Sequence, residues 1–208
     1  MKALLIKDFY MLIKQMKTFI ILILVFAIMP GTSVTAFAIV YSAMIPMTAI
    51  AYDEGCKWNR FAAMMPYSVK TLVFEKYLFG YIMVVFAAIL SALSELISGL
   101  VTGEGFGVEK LMVIMAVVCV ALIMQALNLP FIYKLGVEKG RFVYLAFFVL
   151  VFAVLGLFEI NTVPVIGMLP NIQISILFLG LLLLAVTIIC NVGSVLLSAR
   201  FYEKKNYQ

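Results

Sequence analysis

The sequence predicts an all-α, polytopic membrane protein: six transmembrane helices, an N-terminal interfacial amphipathic helix, and a short cytoplasmic helix between helices 2 and 3. Three observations carry that reading. The 208 residues are 66% hydrophobic and 12% charged, with a mean hydropathy of +1.19, where soluble domains are about 45–50% apolar. Apolar runs of membrane-crossing length, about 20 residues, recur along the whole chain. The basic residues also gather in alternate connections between these runs. One transmembrane domain over 1–208 leaves no room for a soluble domain of ordinary size.

The chain opens with Lys2, Lys7, Lys14 and Lys17. This basic start is too long for a secretory signal peptide and no clear small-residue cleavage site follows, so the segment is expected to be retained. Leu5, Phe9, Leu12, Ile13 and Met16 recur at helical spacing, with Lys7, Tyr10, Lys14 and Lys17 opposite. Residues 2–17 therefore read as a helix in the membrane interface, with lysines toward anionic headgroups.

Helices 1 and 2 are placed at 18–30 and 33–52, with Pro30-Gly31 as a turn between them. The alternative is one long helix over 18–52. Charge decides between them. The hairpin puts fourteen of the fifteen basic residues on one side, with Lys110 alone on the other, whereas the single helix gives eight and seven. The positive-inside rule favours the hairpin, with both termini cytoplasmic and a short, tilted or sheltered helix 1. Helix 3 follows at 72–100, helix 4 at 111–133, helix 5 at 142–158 and helix 6 at 172–199.

Residues 53–70 then form a cytoplasmic segment. Within it, Trp58, Phe61, Ala62 and Met65 fall at i, i+3, i+4 and i+7, one apolar face of a short helix. Lys57 and Arg60 flank that face. Asp53 and Glu54 stand where a helix start favours negative charge and a cap. Pro66 ends the helix, and Ser68 is placed to cap helix 3. Such a face needs the membrane surface or a groove on a partner protein, where aromatic anchors carry binding energy.

The run Asp53-Glu54, Lys57-Trp58, Arg60-Phe61, Pro66, Ser68, Val73 and Lys76-Tyr77 resembles the pattern after the second span of small bacterial ABC-2 type permeases. Within that family it is most similar to exporters and immunity transporters of amphipathic peptides, of the phenol-soluble modulin exporter or lantibiotic type. The resemblance implies a permease subunit in a bacterial plasma membrane, paired with a second permease chain, identical or paralogous, and two cytosolic ATPase subunits. The segment at 53–70 would hold the coupling helix. Asp53, Glu54, Lys57, Trp58, Arg60, Phe61, Ala62 and Met65 would form its ATPase interface. This chain carries no G-x-x-x-x-G-K-[ST] loop, so ATP and Mg belong to the partner and no cofactor is expected here.

Polar residues inside the spans suggest where substrate passes. Ser91, Ser94, Glu95 and Ser98 share one face of helix 3, and a buried carboxylate there should face protein or water. They read as a wall of an export path or as helix packing. Thr187, Asn191, Ser194 and Ser198 on helix 6, and Gln125 and Asn128 on helix 4, read first as interhelical hydrogen-bonding groups. Residues 159–171 are too apolar for a solvated loop and read as a re-entrant or interfacial link at the outer face. Histidine is absent, which excludes Ser-His hydrolysis and His-ligated metal or haem sites. The three cysteines form no C-x-x-C, and no metal site or catalytic residue is expected. The other readings are an ion- or proton-coupled secondary transporter using Glu95, and a non-transporting scaffold or sensor.

Overall fold

In hydrocarbon a backbone finds no water, so each N–H and C=O must pair within its own segment. The long apolar runs accordingly fold as helices. The computed structural model describes residues 2–15, 17–28, 32–65, 67–102, 108–165 and 176–206, and every element among them is an α-helix.

α1 (Lys2–Gln15) and α2 (Lys17–Ile28) follow each other directly and are bent by 78°. That angle suits a helix lying along a surface before the chain turns inward. α2 has 12 residues and spans about 18 Å at 1.5 Å per residue, short of a 30 Å hydrocarbon core. It returns against α3 (Thr32–Ser42): Phe26 meets Phe37 at 4.6 Å between ring centroids, and Phe19 stacks on Tyr41 at 5.6 Å. This pairing, rising in one helix and falling in the other, is that of an antiparallel hairpin, and it excludes one long helix over 18–52. The Pro30-Gly31 turn itself lies outside the described residues.

The second expected span is continuous in sequence but broken in structure. α3 stops at Ser42, and α4 (Ile45–Gly55) restarts with Pro46 in its first turn. Pro46 has no N–H to give to Ser42. The chain tightens instead, with Ala43 and Met44 donating to the carbonyls of Val40 and Tyr41.

α5 (Trp58–Met64) is a single short helix, followed by α6 (Val69–Thr102), α7 (Val108–Leu135), α8 (Val137–Val165) and α9 (Ile176–Asn206). Ser68 caps α6 as expected: its Oγ accepts from the Thr71 N–H and bonds the Thr71 hydroxyl at 2.7 Å. The interval 134–141 left between expected helices 4 and 5 is reduced to one residue, Gly136. Gly136, at φ +85°, ends α7 in the left-handed region and donates back to the Ile132 carbonyl, the arrangement glycine favours past a helix end. α8 also continues through the first seven residues of the expected link at 159–171. The remainder of that link lies outside the described residues.

By length and composition, four stretches among the described residues can cross a membrane: Val34–Gly55, Val69–Leu100, Leu111–Leu135 and Gly180–Tyr202. The bent α1–α2 pair would make a fifth. Val34–Gly55 is the central one, 72% buried, whereas Gly180–Tyr202 is 11% buried and lies on the outside. The core between them is aliphatic and aromatic, including Ile39, Val40, Ile45, Met47, Tyr77, Phe79 and Leu129.

Candidate functional site at the basic end

α1, the end of α4, α5, the start of α6 and the ends of α7 and α9 meet at one end of the bundle. Tyr133 of α7 packs edge-on against Tyr202 of α9 at 5.6 Å, and Lys134 lies over the Phe201 ring. Beneath α5 this end holds a buried ion-pair network. Lys76 Nζ lies 2.6 Å from Asp8 Oδ2 and 2.6 Å from Asp53 Oδ2. Lys7 Nζ lies 2.8 Å from Asp53 Oδ1 and 3.0 Å from Asp8 Oδ1. Glu75 Oε2 stands farther off, 3.8 Å from Lys76. Asp8, Asp53, Glu75 and Lys76 are all buried.

Ions buried to this degree persist only when paired and hydrogen-bonded. Each lysine here is shared by two aspartates. Burial raises the Asp8 carboxyl, but Lys76 first, then a hydrogen bond with Glu75 and the charge of Lys7, bring it below its ordinary value. Asp8 comes from α1, Asp53 from α4 and Lys76 from α6, so one charge cluster ties three helices together.

This geometry corrects the sequence reading of several residues. Asp53 and Glu54 do not start a helix; they belong to the last turn of α4. The residue before α5 is Lys57, at φ 54° in the left-handed region and with no side-chain cap. Asp53 is spent on the lysines instead. Lys7, expected toward headgroups, folds inward to Asp53 and sits 4.5 Å over the Trp58 ring. The inward face of α1 is Leu4, Asp8 and Leu12, with Leu5 and Phe9 packed beside them, while Ile6 and Ile13 point outward. Met16 lies outside the described residues.

The apolar face of the short helix divides. Ala62 is buried and Trp58 half-buried, toward the bundle. Phe61 and Met65 face outward, joined by Met64, which is 83% exposed. Met65 has left the helix and is extended. Lys57 is exposed, and the side chain of Arg60 lies outside those described. Sequence spacing missed Met64 because it fell off the i, i+3, i+4, i+7 pattern. It missed Asp8 because an acid among lysines and apolar residues reads as a surface charge.

Deeper in the bundle the polar residues mostly join helices. The Tyr77 hydroxyl bonds Ser194 and Ser198, and Ser194 donates to the Ala126 carbonyl. Tyr81 donates to Asn191 Oδ1 at 2.8 Å, and Asn191 Nδ2 donates to the Thr187 carbonyl. Gln125 donates to the Tyr77 carbonyl at 3.1 Å, across the face of Gly80. A Cβ on Gly80 would lie 2.3 Å from the Gln125 amide nitrogen, so only glycine allows that approach. On α6, Ser91, Ser94 and Glu95 are buried, and Ser98 is half-buried and donates to the Glu95 carbonyl at 3.1 Å. The structure therefore brings these four onto one inward face, some distance along α6 from the ion pairs.

Among the described residues, no group of three His, Cys, Asp or Glu side chains is placed to hold a metal ion. No curated protein and no solved structure matches the sequence. The family model described as ABC-2 family transporter protein matches residues 3–203. That match takes in the bent N-terminal pair, the ion-pair network, α5 and the long helices together, and the chain belongs to the ABC-2 transporter family.

Proposed function

We propose that the chain is the permease subunit of an ATP-binding cassette exporter, with α5 as the coupling helix on which a separate ATPase subunit docks. The observation that carries this is the two-sidedness of α5. Its inner side is held by Ala62 and by Trp58 beneath Lys7, while Phe61, Met64 and Met65 face out of the protein. Exposed aromatic and methionine side chains on a short helix, at the end that gathers the basic residues, suit a protein groove. The ion pairs beneath provide a stiff path from α5 to α1, α4 and α6. Closure of an ATPase dimer on ATP and Mg would then move three helices together, the differential contact that coupling requires.

In this reading α2, α3–α4, α6, α7, α8 and α9 are the six spans, both termini are cytoplasmic, and two permease chains pair in a bacterial plasma membrane. The substrate class is an amphipathic peptide. Its path follows the inward face of Ser91, Ser94, Glu95 and Ser98, where the carboxylate suits a cationic group on a peptide. Family membership supports the class of machine, and the buried polar face of α6 supports a route through the protein.

The test is co-purification from native membranes. An ATPase subunit should accompany the unaltered chain, and Phe61→Ala with Met64→Ala should lose it while the chain stays inserted. Recovery of equal ATPase with the double variant would remove α5 from the interface. Recovery of none with the unaltered chain would remove the exporter reading. For the path, Glu95→Gln should slow export of cationic amphipathic peptides more than of neutral ones; equal rates would leave Glu95 a packing residue.

A further inference from the structure

We infer that the groove between α6 and α9 is a binding site for an anionic glycerophospholipid, with its phosphate between Lys70 and Arg200 and an acyl chain along the groove. The groove has two continuous sections. One, of about 530 Å³, opens at the basic end, where Lys70 and Arg200 stand with Thr71 at its mouth. The other, of about 510 Å³, runs on into the bundle and ends around Tyr81, Thr187 and Asn191. Phe74, Val195 and Leu196 line both sections and make them one channel.

Its length, charge and polarity all match a lipid of one leaflet. From Lys70 to Tyr81 on α6 is about 16 Å, and from Arg200 to Thr187 on α9 about 20 Å, at 1.5 Å per residue. One leaflet contributes about 15 Å of hydrocarbon. The charge is at one end only, and none of the described residues lining the groove is acidic. The deep end makes no polar demand on an occupant. Tyr81 is bonded to Asn191, Asn191 to the Thr187 carbonyl, and the Thr187 hydroxyl to the Leu183 carbonyl. Between these ends the walls are Phe74, Leu122, Ile188, Val192 and Leu196, which suit a hydrocarbon chain.

A second copy of the chain fits less well. In a two-fold pair with its axis along the membrane normal each residue keeps its depth, so the basic end of one chain meets the basic end of the other. A pair closed along this groove would bring Lys70 and Arg200 to the basic end of the second copy, and the groove's own lining offers no carboxylate to offset them. An anionic headgroup instead places a negative charge between the two basic side chains, the attraction that draws basic residues to anionic lipid surfaces. This inference requires only that the helices span a membrane; it stands or falls separately from the ATPase reading.

The experiment follows thermal unfolding of the full-length chain, with any subunit that co-purifies, in neutral detergent. Dioctanoyl phosphatidylglycerol, dioctanoyl phosphatidylcholine and inorganic phosphate are titrated separately. Phosphatidylglycerol should raise the midpoint at a concentration about tenfold lower than phosphatidylcholine, and phosphate should leave it unchanged. The K70Q/R200Q variant should respond to both lipids alike. Leu196→Trp, which fills the groove, should lose both responses with unchanged sedimentation. Equal responses of the unaltered chain to the two lipids would overturn the site. A phosphate response equal to that of phosphatidylglycerol would show a free-anion site instead. Conversion of a dimer to a monomer by Leu196→Trp would show the groove to be the seam between two chains.

Discussion

Lys76 is the side chain on which the basic end depends most. It lies 2.6 Å from each of two buried aspartates on different helices, and its removal leaves that pair short of a cation. Removing one partner of a buried ion group costs about 3–5 kcal/mol, so Lys76→Met should lower the thermal midpoint sharply. Neutralising Asp8 as well, in D8N/K76M, should recover much of the loss, because Lys7 and Asp53 then remain as a balanced pair and no charge is stranded. A single variant as stable as the parent would show that water reaches the cluster. Gly80 makes a second residue-level case. Gly80→Ala drives a Cβ into the Gln125 amide and breaks its bond to the Tyr77 carbonyl. The expected cost is about 1–3 kcal/mol, the usual penalty for an orphaned buried polar group. Adding Gln125→Ala should relieve part of it, so the two substitutions should be non-additive in unfolding measurements.

At the scale of elements, α5 should separate stability from association. Trp58→Ala should cost about 1–3 kcal/mol through lost packing and lost contact with Lys7. Met64→Ala, on the exposed side, should stay within about 0.5 kcal/mol of the parent yet weaken ATPase retention; thermal unfolding and co-purification of the same two proteins check this. The helices themselves were legible because a membrane-crossing helix announces itself in composition over about 20 residues, and the α2–α3 hairpin because charge is counted loop by loop. The division of α5 was not legible. Period alone places Trp58, Phe61, Ala62 and Met65 together, but Met65 leaves the helix, and only the approach of Lys7 from residues far away settles which side is inward. The break between α3 and α4 was written locally, in Pro46, but a proline near a helix start and one that interrupts a span look alike until the hydrogen bonds are traced. Asp53 was misread for a related reason: an acid between a long helix and a short one suits the end of one as well as the start of the other, and its lysine partners are 46 and 23 positions away.

For the whole molecule, the orientation in the membrane is open to a direct measurement. Cys56 is exposed, Cys119 buried and Cys190 half-buried. A membrane-impermeant thiol reagent should leave Cys56 unlabelled in intact cells and label it in inverted vesicles; the opposite pattern would reverse the topology. The network at the basic end also bears on how the chain is made. Asp8 leaves the ribosome early, but its closest lysine partner, Lys76, follows 68 residues later, after the hairpin, α4 and α5. Lys7 alone leaves the two buried aspartates one cation short, and the cluster is balanced only when Lys76 arrives. α1 is thus fixed only after α2 to α5 have been made, and it stays in water or at the lipid surface until the start of α6 emerges. Closing that contact marks the point at which the N-terminal half of the chain becomes a single unit.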